Sequence, residues 1–215
     1  TEGNEGIAAN LKAGGIHISI STILPETAKA LSALHHQYNN HYLASPVMGR
    51  PETARERKLN FFVSGDKAII QKAEPILFFA GAAGVWEFGE KAEAANVAKL
   101  CSNFLIAAAI ESMAEGILLA KKSDLDAGSW MGMLTQTLFN SPVYTNYSAI
   151  LLKESFQPAA FSLRLGLKDI NLVMKQALTV QAKMPFGKTI QKQLTDSMEN
   201  GLGEYDWTVV ALTLK

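Results

Sequence analysis

The chain has 215 residues, 48% of them hydrophobic, so it is long enough for one or two domains with a sizeable core. Its 20 Lys and Arg residues balance its 20 Asp and Glu residues, and this zero net charge argues against a nucleic-acid-binding protein. The single cysteine, Cys101, excludes an internal disulfide framework and fits a reducing, cytoplasmic compartment.

Predicted strands and helices alternate in the first part of the chain. Ile16, Ile18 and Ile20 alternate with polar residues, which predicts a half-buried strand over 16–22. The elements predicted after it are helix 25–38, strands 42–47 and 58–65, helix 66–81 with a bend or boundary at Pro75, and strand 85–89. This order of strands and helices predicts α/β layering.

The longest predicted helix covers Ala94–Lys121, a stretch with no proline and one late glycine. Apolar residues fall on nearly every side of it, so we expect it to be buried all round. Its longest apolar run, Phe104–Ile110, is much shorter than the ~18 residues that indicate a membrane span, and we predict none.

Lys99 and Asn103 interrupt the apolar pattern and share one stripe of the helix because they are four residues apart. Lys99 either extends to solvent at the helix start or lines a cleft as a partly desolvated ammonium.

After residue 89 the sequence predicts helices only. These are a helix up to residue 138 capped by Asp126 or Ser123, one that starts at Ser141-Pro142, a long one over 161–183 and one over 189–198. The chain is therefore predicted to divide into an α/β part, residues 1–92, and an all-helical part, residues 93–215.

Two loops that follow predicted strands could carry chemistry. Ser21 and Thr22 stand where ligands bind in open α/β sheets, although they equally suit a cap for the next helix. Gly49 permits close approach of the backbone to a ligand, and Arg50 offers a cation to an anion. A solvated loop with a turn glycine is the simpler interpretation of that second segment.

Other reactive side chains are interpreted as structural. Lys168 and Asp169 are adjacent in a predicted helix, where neighbours do not face each other, so we expect different partners for them or an ordinary surface pair. The histidines lack acidic or cysteine neighbours at ligand spacing, so we predict no metal site and expect solvated positions for His17, His35, His36 and His41. Cys101 is expected to be a small buried apolar residue.

Four sequence blocks resemble the β-hydroxyacid dehydrogenases, of which 3-hydroxyisobutyrate dehydrogenase is the familiar member. The blocks are SISTILPET (19–27), ASPVMGR (44–50), ANVAKLCSN (95–103) and LGLKDINL (165–172), in the family's order and spacing. The resemblance implies part of a Rossmann-type domain followed by an all-helical domain for substrate binding and dimerisation. It implies an oxidoreductase that uses NAD or NADP on a small β-hydroxyacid and forms a homodimer. The balanced charge and the short apolar runs predict neither a nucleic-acid nor a membrane partner.

The resemblance also implies roles for residues at matching positions. Lys99 would be the catalytic general acid and base, and Asn103 would hold the substrate. Gly49 would help bind the substrate carboxylate. Met48 stands where the family has a carboxylate-binding serine, and Arg50 where it has glycine, so substrate choice is open. A small aldehyde or semialdehyde is the alternative substrate.

The resemblance places Ser21, Thr22 and Lys168 near the nicotinamide end of the cofactor. The family's Gly-x-Gly-x-x-Gly turn, which binds the pyrophosphate at a helix N-terminus, does not occur in these residues. The chain also begins without an initiator methionine. We therefore expect that roughly the first half of the cofactor domain is missing, and that the fragment alone is inactive and binds a dinucleotide weakly or not at all. The competing hypothesis is a non-catalytic helical dimerisation domain, since long apolar helices also build dimer interfaces.

Overall fold

The computed structural model of the chain describes residues 1–214. It contains two compact units, of which the first comprises Thr1–Cys101 and the second begins at Ser102. The longest helix, α5 (Ala94–Lys122), starts in the first unit and continues into the second. The predicted division at residue 92 lies just before this helix and remains a prediction.

The first unit alternates strands and helices. Its elements are α1 (Ile7–Asn10), β1 (Ile16–Ser19), α2 (Pro25–Gln37), β2 (His41–Ala44), β3 (Val47–Met48), α3 (Pro51–Arg55), β4 (Leu59–Val63), α4 (Lys67–Phe79) and β5 (Ala82–Glu87). β1 pairs with β2 in parallel, β4 pairs with β5 in parallel, and β3 runs antiparallel to β4. An isolated bridge between Ala44 and Ser64 joins the ends of β2 and β4. The predicted α/β layering is confirmed.

The single strand predicted over 42–47 is wrong. Ser45 and Pro46 separate β2 from β3, and the two strands pair with different neighbours. A proline has no backbone N–H to donate to a sheet, which explains the interruption. Pro75, in contrast, lies inside α4 and does not end it.

Two apolar clusters form the core of the first unit. The larger one places α4 against the strands and includes Leu43, Phe61, Val63, Ile70 and Leu77. The smaller one contains Ala28, Tyr42, Ala44 and Ala95, so the first turn of α5 packs against α2 and β2. Side chains as small as alanine allow this close approach of backbones.

Only part of α5 is buried, contrary to our expectation. Val97, Cys101 and Leu105 are exposed and follow one another at intervals of four residues, so they lie on one face of the helix. The predicted burial of Cys101 is therefore wrong. By length and composition α5 could cross a membrane, and half of its most apolar stretch is buried in the fold.

The second unit is helical. It contains the rest of α5, α6 (Ala127–Gln136), α7 (Pro142–Lys153), α8 (Leu163–Thr179), α9 (Pro185–Glu199) and a 3₁₀ helix (Trp207–Leu212). Asp126, one of the two predicted caps, accepts a hydrogen bond from the Gly128 N–H at the start of α6. α9 begins four residues earlier than predicted because Pro185 opens it, as proline does at the first helical position. Among residues 88–214 there is no further strand.

Candidate active site

Lys99 is almost completely buried, with 8% of its surface exposed. Its Nζ donates a hydrogen bond to Met48 Sδ at 2.8 Å. The alternative interpretation, in which Lys99 extends to solvent at the helix start, is therefore wrong. Because a thioether is a weak and uncharged acceptor, Met48 does not neutralise the ammonium group. The structure thus places the Lys99 amino group in a largely dry environment inside the first unit.

The loop after β2 brings Met48 to Lys99. The Ser45 N–H donates to the Ser19 carbonyl at 2.8 Å, which extends the pairing of β1 and β2, and β3 then turns onto β4. Gly49 has a φ of +149°, and a Cβ there would lie 2.4 Å from Leu59 Cδ2. Only glycine therefore allows the chain to turn at this point. Arg50 follows as the N-cap residue of α3 and is half-buried.

Ser64 fixes the start of α5 to the end of β4. Its Oγ accepts a hydrogen bond from the Ala95 N–H at 2.8 Å and donates one to the Ala92 carbonyl at 3.0 Å. Ser64 is fully buried, and Ala95 packs against Ala44. Since a helix leaves its first N–H groups unpaired, this serine stabilises the turn that precedes Lys99.

Asn103 is held by Asp169 inside the second unit. Asn103 Nδ2 donates to Asp169 Oδ2 at 2.7 Å, and both residues are buried. Lys168 Nζ lies 2.5 Å from Asp169 Oδ1, an ion pair that lacks the alignment of a hydrogen bond. A carboxylate only accepts hydrogen bonds, so Asp169 orients the Asn103 amide with its nitrogen inward.

Our expectation that Lys168 and Asp169 have different partners is wrong, and so is the alternative of an ordinary surface pair. The long Lys168 side chain folds back over its neighbour, so the two groups meet although their Cβ atoms point in different directions. The Asp169 side chain is 4% exposed, whereas that of Lys168 is 46% exposed. The half-exposed Lys168 therefore pairs with the buried Asp169 carboxylate from the protein surface.

Ser21 and Thr22 lie between β1 and α2, at the carboxyl end of β1. Ser21 is exposed and Thr22 is half-buried. The alternative interpretation of these residues as a cap is wrong, because Leu24 occupies the N-cap position of α2 and no side chain caps that helix. Their predicted role near the cofactor remains a prediction.

The expectation of solvated histidines is wrong for His35, which is fully buried. Its Nδ1 lies 2.5 Å from Asn40 Oδ1, and its Nε2 lies 2.9 Å from His17 Nδ1. Asn40 Nδ2 in turn donates to the Ala8 and Leu11 carbonyls, so this network ties α1 to α2. No group of three or more potential metal ligands of the His, Cys, Asp and Glu types occurs within residues 1–214.

Two family models match the chain. Residues 1–89 match the NAD binding domain of 6-phosphogluconate dehydrogenase, and residues 94–213 match the NAD-binding domain of NADP-dependent 3-hydroxyisobutyrate dehydrogenase. The oxidoreductase YfjR of Bacillus subtilis is 34% identical over all 215 residues, which cover 74% of its length. The chain belongs to the β-hydroxyacid dehydrogenase family. Members of this family are NAD(P)-dependent oxidoreductases, so the predicted enzyme class, cofactor and fold are confirmed.

Two further relatives carry the names of a reductase and of a dehydrogenase. The chloroplastic glyoxylate/succinic semialdehyde reductase 2 of Arabidopsis thaliana is 28% identical over 99% of the chain, which spans 59% of that relative. The structure of Mycobacterium tuberculosis 3-hydroxyisobutyrate dehydrogenase with L-serine superposes with a TM-score of 0.86 at 27% identity, covering 97% of this chain and 72% of that one. These names favour an enzyme of small molecules over the competing non-catalytic dimerisation domain.

Residues at the carboxyl end of β1 and at the start of α5 carry groups that are available to a ligand. Ile20 is 57% exposed and precedes the exposed Ser21, so an apolar side chain and a hydroxyl are both open to a ligand. Ser45 Oγ and Asn96 Oδ1 are buried and have no hydrogen-bond partner within residues 1–214, so they suit the polar groups of a bound ring. Ligands bind at this edge in α/β sheets of this kind.

Sequence reasoning missed four residues that shape the candidate site. Asp169 was noticed for its charge but not for its hydrogen bond to Asn103, and nothing local indicated that it is buried. Ser64 directly follows a predicted strand, yet its contact with α5 is long-range. Asn96 stands three residues before Lys99 on the same face of the helix, a spacing that could have identified it. Ser45 looked like a loop residue.

Proposed function

We propose that this protein interconverts a small β-hydroxyacid and its aldehyde or ketone, with Lys99 as the general acid and base. The observation that carries the proposal is the burial of Lys99, whose Nζ donates a hydrogen bond to Met48 Sδ at 2.8 Å. Lysine side chains are mostly exposed, so a buried one in an apolar helix is a candidate functional group.

In the direction of reduction, negative charge develops on the substrate carbonyl oxygen. Lys99 Nζ stabilises that charge and donates a proton to the oxygen, and in the direction of oxidation the neutral amine accepts the proton. The nicotinamide cofactor, when bound, supplies or accepts the hydride. An oxygen is a better acceptor than a thioether, so a substrate oxygen can replace Met48 as the partner of Lys99 with a net gain.

Asn103 follows Lys99 by one turn on α5 and has a proposed role of its own. Asp169 fixes its amide nitrogen, so Asn103 Oδ1 points away from that carboxylate as an acceptor. We propose that this oxygen accepts a hydrogen bond from a substrate hydroxyl. The resemblance supports this role, together with those of Ser21, Thr22 and Lys168 as cofactor contacts and of Gly49 and Arg50 as substrate contacts.

A second candidate substrate class is a small aldehyde or semialdehyde. Met48 contacts Lys99 through its sulfur. A thioether has neither a positive charge nor an O–H donor with which to bind a carboxylate. An uncharged carbonyl compound would meet no unfavourable contact there. The Arabidopsis relative named as a glyoxylate/succinic semialdehyde reductase is consistent with this alternative.

The test of the proposal is Lys99→Ala in the gene product that contains these residues. We expect kcat/KM for β-hydroxyacid oxidation to fall by about 10³-fold or more, because both the proton donor and the positive charge are lost. The Kd for the nicotinamide cofactor should change by less than about threefold, since a residue specific to the chemical step affects rate more than binding.

The matched control is Lys122→Ala, which removes an exposed lysine at the other end of the same helix and should leave kcat/KM unchanged. A Lys99→Ala variant that retained near-normal turnover would show that the proton donor lies elsewhere.

A homodimer through the helical region is the assembly that the resemblance implies, and we propose it here. Apolar side chains on α5 are exposed, among them Leu105 (66% exposed) and Leu119 (68% exposed), and they support an interface between two copies of the chain. Light scattering coupled to gel filtration tests this state. A mass equal to that of one chain across the micromolar range would contradict it.

A further inference from the structure

Trp86 is an exposed aromatic side chain that the fold holds in one orientation. It lies on β5 and is 55% exposed. Its Nε1 donates a hydrogen bond to Asn60 Oδ1 on β4 at 2.8 Å. A Cβ at Gly84 would lie 2.8 Å from this indole nitrogen and 3.2 Å from Cε2, so the indole lies directly against the Gly84 backbone. Two contacts therefore fix an aromatic ring that is still open to a ligand.

Trp86 lies on the face of the sheet that also carries Met48. Met48 pairs with Asn60, and Asn60 pairs with Gly84, so these positions form one row across β3, β4 and β5. Trp86 follows Gly84 by two residues, and side chains two apart in a strand point to the same face. Val85, between them, packs into the core with α4 on the opposite face.

The same row leads to the Lys99 amino group within the first unit. Met48 Sδ accepts the hydrogen bond from Lys99 Nζ on one side of Asn60, and the Trp86 indole contacts Asn60 from the other side. Neighbouring strands lie about 4.8 Å apart, so β3 and β5, which flank β4, are separated by about 10 Å. A phenyl group on a short linker spans this distance, so a molecule bound at Lys99 can contact the indole.

Two phenylalanines extend this aromatic surface. Phe62 pairs with Trp86 across the two strands, and the Phe88 ring meets the Phe62 ring edge-on at a centroid distance of 5.1 Å. Phe62 is half-buried and Phe88 is 40% exposed. Phe62, Trp86 and Phe88 together form the aromatic shelf. Its one side-chain N–H, that of Trp86, is already donated to Asn60, so the shelf offers aromatic rings rather than a charge or a hydrogen bond.

We propose that the aromatic shelf binds an aromatic substituent of the substrate while the substrate oxygen is bound at Lys99. This assignment deepens the proposed function and depends on it for the reaction. Aromatic rings attract one another in stacked and edge-to-face arrangements, beyond the effect of burying their apolar area. A charged or hydroxylated substituent would lose its water on the shelf without gaining a partner. The preferred substrate is therefore a hydroxyacid or aldehyde that carries a phenyl-like group.

The first experiment compares two acids by steady-state kinetics on the gene product that contains these residues. The acids are 2-benzyl-3-hydroxypropionate and its 2-methyl counterpart, which differ only by one phenyl group. We expect kcat/KM of the wild-type enzyme to be about tenfold higher for the benzyl acid. For the aldehyde class the corresponding pair is 3-phenylpropanal and propanal. A wild-type enzyme that prefers the smaller member of its pair would overturn the assignment.

Trp86→Ala should raise KM for the benzyl acid about tenfold and leave kcat unchanged, because contacts far from the reacting carbon are equal in the ground and transition states. Both constants for the methyl acid should stay the same. Trp86→Phe keeps a ring and should lie between the two proteins. Phe79→Ala is the matched control, since Phe79 is 84% exposed on α4, and should change nothing. An equal loss for both acids in Trp86→Ala would show that Trp86 serves the fold.

Asn60 is a positioning residue in this proposal. Asn60→Ala removes the acceptor of the indole N–H and should raise KM for the benzyl acid about threefold, with kcat unchanged. The fluorescence anisotropy of Trp86 should fall, since its ring is freer to move. Subtraction of the Trp86→Phe signal isolates Trp86 from Trp130 and Trp207 in the second unit. An unchanged KM and an unchanged anisotropy would show that Asn60 does not hold the indole, and would overturn the prepared shelf.

Quenching of Trp86 by acrylamide tests the shelf without turnover. The probe is 3-phenylpropionate, which has no hydroxyl to oxidise, added together with the nicotinamide cofactor. It should protect Trp86 from acrylamide, whereas propionate at the same concentration should not. Equal quenching with both acids would overturn the assignment. So would a Trp86 that acrylamide cannot reach in the free protein, because a second copy or another part of the gene product would then cover the shelf.

The results also separate this inference from the proposed function. An enzyme that oxidises the methyl acid but shows neither the preference nor the protection overturns only the aromatic shelf. A protein in which 3-phenylpropionate protects Trp86, but which turns over none of these compounds, overturns only the proposed reaction. A protein that shows neither protection nor turnover overturns both.

Discussion

Asn103 on α5 donates from Nδ2 to Asp169 Oδ2 on α8 at 2.7 Å, and neither residue is more than 5% exposed. A hydrogen bond to an ionised group in a low-dielectric interior is among the stronger contacts in a protein. It crosses between two long helices and determines which end of the Asn103 amide points inward. The residue proposed to hold the substrate is therefore oriented by a residue that has no proposed contact with the substrate.

Asp169→Asn is expected to weaken both stability and catalysis. The free energy of unfolding should fall by about 1–3 kcal/mol, because a buried hydrogen bond to a charged group is replaced by one between neutral amides. The value of kcat/KM should fall by about 10–100-fold, since the Asn103 amide is no longer held in one orientation. Urea unfolding and steady-state kinetics measure the two effects.

Asp196→Asn is the matched control for this variant. Asp196 pairs with Lys192 on the exposed side of α9, where solvent screens the interaction, so we expect no measurable change in either quantity. A fully active Asp169→Asn enzyme would mean that Asn103 is oriented by other contacts.

Met48→Ser should change substrate preference. Serine has an O–H donor for a carboxylate and is too short to occupy the place of the thioether beside Lys99 Nζ. We expect kcat/KM for a short β-hydroxyacid to rise by about tenfold relative to that for an uncharged aldehyde of similar size. An unchanged ratio of the two specificity constants would remove Met48 from the residues that select the substrate.

The long helix shows how far sequence alone can lead. Its predicted bounds differ from the observed ones by a single residue at the C-terminus, because good helix formers without proline leave few alternatives. Its burial was predicted wrongly, since composition alone does not tell which apolar face is covered. Leu105 and Ile110 are equally apolar, but one is exposed and the other buried. Only the positions of the other helices decide between them.

The candidate site was predicted in its parts but not in its contacts. Lys99 and Asn103 stood out because polar residues are rare in an apolar helix. The acceptor of Lys99 is 51 residues away in sequence and that of Asn103 is 66 residues away. Neither spacing reflects a local period, so no helical or strand pattern could have indicated these partners.

Glu111 should make the stability of the second unit fall as pH rises. It is 1% exposed on α5, and burial, assisted by the neighbouring Glu115, raises its pKa from 4.5 to about 7. The folded state therefore holds a proton that the unfolded state has already released between pH 4.5 and about 7. The shift corresponds to a loss of about 3 kcal/mol across this window, at about 1.36 kcal/mol per pKa unit.

Glu111→Gln tests this prediction. The variant should remove the decline in the free energy of unfolding between pH 5 and pH 7.5 and should be the more stable protein at the upper end, by about 1–3 kcal/mol. Glu115→Gln is the control, since Glu115 is exposed and is only the smaller cause of the shift. Parallel stability curves for the wild-type and Glu111→Gln proteins would show that Glu111 is ionised throughout.

His17 should give the first unit the opposite dependence on pH. Partial burial, assisted by His35, lowers the pKa of His17 below 6.5. The unfolded state then binds more protons than the folded state as the pH drops below 6.5, so stability is present above that pH and is lost on acidification. We expect amide hydrogen exchange of β1 and α2 to become faster at pH 5 than at pH 7.5, after correction for the intrinsic exchange rate.

His17→Gln should reduce this difference between the two pH values. His36→Gln is the control, because His36 is an exposed histidine on α2, and it should preserve the difference. Identical protection of β1 at both pH values in the wild-type protein would show that His17 does not couple protonation to the stability of this unit.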